Sequence, residues 1–268
     1  MRVVTDARGR GVELPDRPER IVSLVPSLTE WLAAAGVGER LVGVTDWCVE
    51  PADVTAGLPK VRGTKNPDLR AVTALAPDLV VANAEENRKV DVERLEAAGV
   101  PVVVTMPTTV AGAVRELRTL ATAVGDLPRA PAIDAELTAA LAEAYRSSAR
   151  ARPVRYACAV WRDPWMWVGR RTYAADLLRL AGGEPVFDDP ATRYPKASPA
   201  EIAALGPRLV LLPSEPYAFG RADADEVAAL TGADVRLADG RALTWYGPRI
   251  PAALAAFREL LAGAAPGR

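Results

Sequence analysis

The chain contains no histidine. That one absence removes His-rich zinc or manganese sites, Ser-His-Asp and Cys-His catalysis, and His-ligated haem. Cysteine is scarce as well. Cys48 and Cys158 are too few for a disulfide framework, and two unrelated buried thiols are favoured over a single bridge. Neither sign of charge is in excess, with 33 basic against 34 acidic side chains, so nothing indicates nucleic acid or an anionic membrane as a partner. No apolar run approaches the roughly 18 residues that suggest a membrane span. The opening Met1-Arg2-Val3-Val4-Thr5-Asp6 lacks the apolar core and cleavage site of an export signal. As it stands the sequence is expected in the cytoplasm, and outside it only if Met1 is not the native start.

What is present is an α/β pattern written twice. Glu30-Trp31-Leu32-Ala33-Ala34-Ala35-Gly36 is echoed by Asp176-Leu177-Leu178-Arg179-Leu180-Ala181-Gly182, each an amphipathic helix closed by glycine. Leu75-Ala76-Pro77-Asp78-Leu79-Val80-Val81 is echoed by Leu205-Gly206-Pro207-Arg208-Leu209-Val210-Leu211, a helix end followed by a buried parallel strand. Leu95-Glu96-Ala97-Ala98-Gly99 before Val102-Val103-Val104 has its partner in Ala228-Ala229-Leu230-Thr231-Gly232 before Val235-Arg236-Leu237. Alternating strands and helices predict parallel sheets with right-handed crossovers, and two copies predict two Rossmann-like lobes. The first copy is longer by about 16 residues between its glycine and its proline, an excess that falls within Val44 to Asn66.

Between the copies, Val110, Val114, Leu117 and Leu120 have helical spacing, as do Ile133, Leu137, Leu141 and Tyr145. The second of these helices, about 20 residues long, would join the lobes as a stiff connector. The expected division is an N-terminal lobe over 1–126, a backbone helix over 127–152 and a C-terminal lobe over 153–268.

Ligands of open α/β sheets bind outside the carboxyl ends of the strands. The candidates are therefore the residues after each strand. They are Pro26 and Ser27, then Asp46, Trp47 and Cys48, then Glu85 and Glu86 in the first lobe. In the second they are Trp161 and Trp165, then Glu215 and Tyr217, with Trp245 and Tyr246 before the last helix. Flat rings suit a macrocycle, although Trp165 and Trp167 alternate, so that one of them faces the core. Lys65 and Asn66 close the extra segment of the first lobe. Asn66-Pro67 also has the form of a helix cap followed by proline, which is the favoured reading for Asn66. Glu85 and Glu86 serve equally well as acidic residues at a helix start. Arg170, and Arg193 beside Tyr194, place cations near aromatics, where an anionic chelate or plain solvent would suit them. Cys48 has the chemistry to ligate a metal or attack a carbonyl, but it has no imidazole to activate it. No catalytic residue and no resident metal are expected.

Arg20-Ile21-Val22-Ser23-Leu24-Val25-Pro26-Ser27-Leu28-Thr29-Glu30 resembles the opening of the helical-backbone (class III, TroA-like) substrate-binding proteins, the vitamin B12, ferric-siderophore and haem receptors of ABC importers. Val4 to Leu14 is similar to that family's first hairpin. Pro67-Asp68-Leu69 and Asp176-Leu177-Leu178 with Ala181-Gly182-Gly183 also fit. The resemblance covers nearly the whole chain and is closest to the corrinoid-receptor branch. It implies non-catalytic capture of a corrinoid or ferric siderophore in an interlobe cleft, no intrinsic cofactor, and a monomer. It also implies an ABC permease as partner, but the positions where exported members carry docking glutamates hold Arg70 and Ala200, with Glu201 one residue off. The alternatives are a cytoplasmic sensor or storage protein, or an enzyme on the same scaffold using Cys48, Glu85 or Glu86.

Overall fold

The computed structural model describes residues 1–150 and 152–264. The chain forms two compact units, described separately below. The first contains Met1–Pro107, Ala111–Thr138 and Tyr246–Pro248, and the second contains Thr108–Val110, Ala139–Trp245 and Arg249 onward.

The first unit opens with an antiparallel hairpin, β1 (Arg2–Thr5) and β2 (Gly11–Leu14). Then come β3 (Ile21–Ser23), α1 (Pro26–Ala34), a single 3₁₀ turn at Gly38–Arg40 and β4 (Leu41–Val44). The extra segment folds as α2 (Ala52–Thr55) and a small hairpin of β5 (Arg62–Gly63) and β6 (Asn66–Pro67). After it come α3 (Leu69–Ala74), β7 (Leu79–Asn83), α4 (Lys89–Ala97) and β8 (Val102–Thr105). The sheet is wholly parallel, in the order β4-β3-β7-β8. Val22, Val80, Val102 and Val104 pack on α3 and α4 through Val72, Val92 and Leu95, while Ile21, Leu79, Val81 and Val103 are buried on the other face. A strand covered on both faces needs a continuous apolar run, and these strands have one. The outer edge of β8 is closed by the first hairpin: the Ala7 amide donates to the Val104 carbonyl at 3.0 Å, and Asp6 accepts from the Val104 amide at 3.2 Å.

Two helices follow. α5 (Val110–Val124) buries Val110, Val114, Leu117 and Leu120, the stripe its sequence spacing predicts. In α6 (Ala130–Ser148) Leu137 and Ala144 are buried, and Tyr145, expected on the apolar stripe, is exposed.

The second unit repeats the first in topology. β9 (Val154–Trp161), β10 (Met166–Trp167), α7 (Tyr173–Leu180), β11 (Gly183–Pro185), α8 (Pro199–Ala204), β12 (Leu209–Pro213), α9 (Arg221–Thr231) and β13 (Asp234–Ala238) follow in order. Two helices follow, α10 (Gly240–Thr244) and α11 (Ile250–Ala262). β11, β12 and β13 run parallel to their neighbours, and β9 lies between β11 and β12. Counting only the parallel strands, β4-β3-β7-β8 and β11-β9-β12-β13 share the order 2-1-3-4, and β10 adds an antiparallel strand to β9. No helix among the described residues is long and apolar enough to cross a membrane.

Candidate functional site

A 2-1-3-4 sheet reverses direction between strands 1 and 3, and a crevice opens outside their carboxyl ends. In the first unit these are β3 and β7, and in the second β9 and β12. Pro26, Ser27, Glu85, Glu86, Trp161, Trp165, Glu215 and Tyr217 follow these strands, Asp46, Trp47 and Cys48 follow β4, and Lys65, Asn66, Arg170, Arg193, Tyr194, Trp245 and Tyr246 lie on other segments.

At the first switch point, Pro26 and Ser27 are not loop residues. They start α1 and are buried, with Pro26 at the first turn, where its missing N–H costs nothing. β7 ends in Asn83, whose side-chain oxygen accepts from the amides of Glu85 (2.8 Å) and Glu86 (3.3 Å). The two glutamates therefore sit in a tight turn. They do not start a helix, since α4 begins at Lys89 and its first-turn acid is Asp91. Asn87 binds the turn to its surroundings by donating to the carbonyls of Leu24 (3.2 Å) and Thr64 (2.9 Å). Lys65, at the tip of the β5–β6 hairpin, donates to the Glu85 carbonyl. Asn66 is an exposed hairpin residue and caps nothing. The cap of α3 is Asp68, which accepts from the amides of Arg70 and Ala71, both at 3.1 Å.

Beyond β4, Asp46 and Trp47 face outward, and Trp47 is 66% exposed with its indole nitrogen against Gly63 of the hairpin. Cys48 points the other way. Its sulfur is fully buried, 3.0 Å from the Thr45 hydroxyl, and burial pushes its thiol pKa up. This corrects the expectation that Cys48 offers a thiolate to a ligand. Tyr246 likewise lies inside the first unit. Asn83 donates to its phenol at 3.0 Å, the phenol donates to Thr105 at 2.7 Å, and Thr105 donates to the Ala82 carbonyl at 3.0 Å. Burial raises the Tyr246 phenol far above its ordinary range. Its role is to hold the Tyr246–Pro248 segment across the ends of β7 and β8, not to present a polar group.

The second unit gathers aromatic rings. Trp161, the last residue of β9, is 43% exposed and meets Tyr217 edge-on at 5.5 Å. Tyr217 packs on Phe219 (4.6 Å), Phe219 stacks on Trp165 (5.6 Å), and Trp165 stacks on Trp167 (5.5 Å). Trp167 is the buried end of this ladder and donates to the Ala197 carbonyl at 2.8 Å. It is thus Trp167 of the alternating pair that faces the core. Arg162 lies over Trp165 at 5.3 Å and pairs with Asp223 and Glu226, so its charge is consumed locally. Phe219 was invisible to the sequence reading, although its spacing of two from Tyr217 was a usable signal. Glu215 follows β12 and pairs with Arg241 at 3.3 Å; burial raises its carboxyl against that pairing. Trp245 is buried, with the guanidiniums of Arg241 (5.2 Å) and Arg249 (5.1 Å) over its ring.

Arg170, Arg193 and Tyr194 lie on segments flanking β10, the strand that carries Trp167. Arg170 pairs with exposed Asp188 at 2.7 Å. Arg193 donates to the Arg171 carbonyl at 2.9 Å and lies over Tyr194 at 5.7 Å. Their segment runs beside β10, where the Gly169 amide donates to the Arg193 carbonyl at 2.8 Å. Among the described residues, no cluster of three or more His, Cys, Asp or Glu side chains forms a metal cage.

Exposed aromatic rings thus lie beyond the strands of both α/β units. The chain belongs to the periplasmic binding protein family, whose model matches residues 21–229. It is 29% identical over 196 residues to a vitamin B12-binding protein of Vibrio parahaemolyticus, covering 72% of this chain and 70% of that one. It is 26% identical over 200 residues to the vitamin B12-binding protein of Pectobacterium atrosepticum, with 73% and 71% covered. Among solved structures, the periplasmic vitamin B12-binding protein of Vibrio cholerae aligns with TM-score 0.80 at 22% identity, over 93% of this chain and 99% of that chain, which speaks to the fold alone. An apo periplasmic haem-binding protein from Roseiflexus sp. RS-1 aligns with TM-score 0.80 at 26% identity, over 92% and 99%. The chain is accordingly a substrate-binding protein and not an enzyme, and the small molecules named for these relatives are bound ligands rather than resident cofactors.

Proposed function

We propose that the chain binds a small metal chelate, a corrinoid or a ferric siderophore, through the loops at the carboxyl ends of its strands. The observation that supports this reading is the pair of exposed indoles, Trp47 after β4 and Trp161 at the end of β9, each beyond the carboxyl end of a strand of its own unit. A large exposed ring held in place by a rigid loop is ready to stack on a flat ligand. Asp46, Lys65, Glu85 and Glu86 in one unit, and Glu215 and Tyr217 in the other, supply polar contacts for ligand amides and charges.

The residues disfavour a ligand whose metal needs an imidazole or a thiolate from the protein. Haem iron takes an axial His, Cys, Met or Tyr. Histidine is absent and Cys48 and Tyr246 are buried, which leaves half-buried Tyr217 as the phenol at the site. A corrinoid or a siderophore brings its own ligand set, so this chain need only grip it. Tryptophan-fluorescence titration with cyanocobalamin, ferrioxamine and haemin tests the reading. Saturable quenching by one of the first two is expected, weakened about tenfold or more by Trp47→Ala or Trp161→Ala, since a lost stacked ring costs on the order of 1–3 kcal/mol. Absence of saturable binding to either overturns it.

A second reading concerns delivery. Glu201, the residue nearest the second docking position, turns its carboxylate back onto the Ser198 amide and hydroxyl, both at 2.7 Å, in a capping box. Its charge is held by its own helix, and Arg70 is a cation. This favours a ligand sensor or storage protein over one that docks on a permease through these two positions. Arg70→Glu with Ala200→Glu is expected to create permease binding only if the remaining surface already matches.

A further inference from the structure

A groove of about 460 Å³ runs between α3 and α4 of the first unit. Its floor is aliphatic, made of Leu69, Ala74, Leu95 and Ala98, and its rim carries Arg70 and Arg94. Its remaining lining residue, Thr73, donates its hydroxyl to the Leu69 carbonyl at 2.8 Å. No carboxylate lines it among the described residues. Arg70 is exposed, and among the described residues its side chain makes no hydrogen bond or ion pair. Arg94 reaches Asp91 only at 3.9 Å, and Asp91 is already held by Arg88 through bonds of 2.7 and 3.0 Å. Two cations therefore flank an apolar trough with their charge largely unspent.

We propose that this groove docks an acidic amphipathic segment of a partner protein, with an aliphatic side chain on the floor and a carboxylate on each arginine. Helix-in-groove recognition reads such a pattern, and a guanidinium pairs with a carboxylate in a planar fork. The groove suits other anions poorly. A nucleic-acid strand needs a longer cationic track and rings for its bases, and an anionic bilayer needs a larger cluster of basic side chains. This surface is independent of the ligand reading above, because none of its residues contributes to the switch-point loops.

The test uses the full chain and a fluorescein-labelled amphipathic helical peptide of about 15 residues, with a leucine and alanine face flanked by glutamates. Anisotropy at low salt is expected to show saturable binding that weakens as salt rises. The double variant Arg70→Glu, Arg94→Glu is expected to weaken it about tenfold or more, and Arg221→Glu, an exposed arginine on α9, to leave it unchanged. Hydrogen exchange is expected to slow in 69–74 and 94–98 on binding. Circular dichroism reports whether each variant is folded. Absence of peptide binding, retention of binding in the folded double variant, or equal loss in Arg221→Glu overturns the proposal. So does co-sedimentation with phosphatidylserine vesicles that the double variant abolishes while peptide binding is absent.

Discussion

Asp68 and Asn66 show how narrowly a local role is decided. Both are short polar residues near a proline at the start of α3, and either has the chemistry to cap it. Asn66 pairs with Gly63 in the β5–β6 hairpin, and that pairing fixes its backbone as strand. Asp68, two residues on, is left to receive the amides of Arg70 and Ala71. Asp68→Ala is therefore expected to cost about 1 kcal/mol. Asn66→Ala, at an exposed position, should stay within about 0.5 kcal/mol. Urea denaturation of the two variants checks this, and the opposite ranking would return the cap to Asn66. Cys48 makes a related point. Asp46, Trp47 and Cys48 are consecutive, yet two face solvent and one is sealed beneath Thr45. Periodicity announces side-chain direction in strands and helices but not in a loop, so the sequence nominated all three alike.

At the scale of elements, the sequence was most legible where strands are covered on both faces. Leu79–Ala82 and Leu209–Pro213 are unbroken apolar runs after a helix-ending proline, and both lie in central parallel strands. Loops were less legible because their shape comes from particular contacts, near or distant in sequence, rather than from a repeating pattern. Glu85 and Glu86 suit a helix start and a ligand site equally well in sequence, and the Asn83 side chain folds them into a turn. The β12 loop is shaped in the same way. Gly240 opens α10 directly over Glu215, and a Cβ there would lie 2.6 Å from the Glu215 Cγ and 2.7 Å from its carbonyl oxygen. Alanine is worth up to about 1 kcal/mol over glycine in a helix, but overpacking against backbone costs about 1–3 kcal/mol, so the clash wins. Gly240→Ala is expected to destabilise by about 1–2 kcal/mol. It should also change the tryptophan emission, since the displaced loop carries Tyr217 and Phe219 of the ring ladder. Gly57→Ala, with open space around its Cβ, is the control expected to be neutral. Equal thermal melts for the two variants would remove the clamp from the account.

For the whole molecule, the missing histidine shapes the response to pH. No imidazole titrates near neutrality, so stability between about pH 6 and 8 depends little on side-chain protonation. The acid limb belongs to carboxylates pulled in opposite directions. Glu201 and Asp223, lowered chiefly by backbone hydrogen bonds from Ser198 and Gly220, contribute stability above the ordinary carboxylate range that is lost as pH falls through their folded values. Glu116 and Glu215, raised by burial, hold their protons more tightly when folded, so their contribution grows as pH falls. The alkaline limb has one sign only. Burial raises the thiols of Cys48 and Cys158, and the folded state keeps protons that the unfolded chain gives up above a thiol pKa of about 8.5. Stability must then fall as pH rises. Cys158, whose buried thiol stays protonated in the folded state across this range, contributes about 1 kcal/mol of the fall between about pH 8 and 9.5, and Cys48 adds to it with the same sign. Denaturant titrations in a reducing buffer should show this slope in the native chain and about 0.5 kcal/mol or less in Cys48→Ala, Cys158→Ala. That variant starts lower at neutral pH because two packed side chains are truncated, but the comparison is of slopes, not of starting values. An unchanged slope in the variant would assign the alkaline limb to other groups, the buried phenols of Tyr156 and Tyr246 first among them.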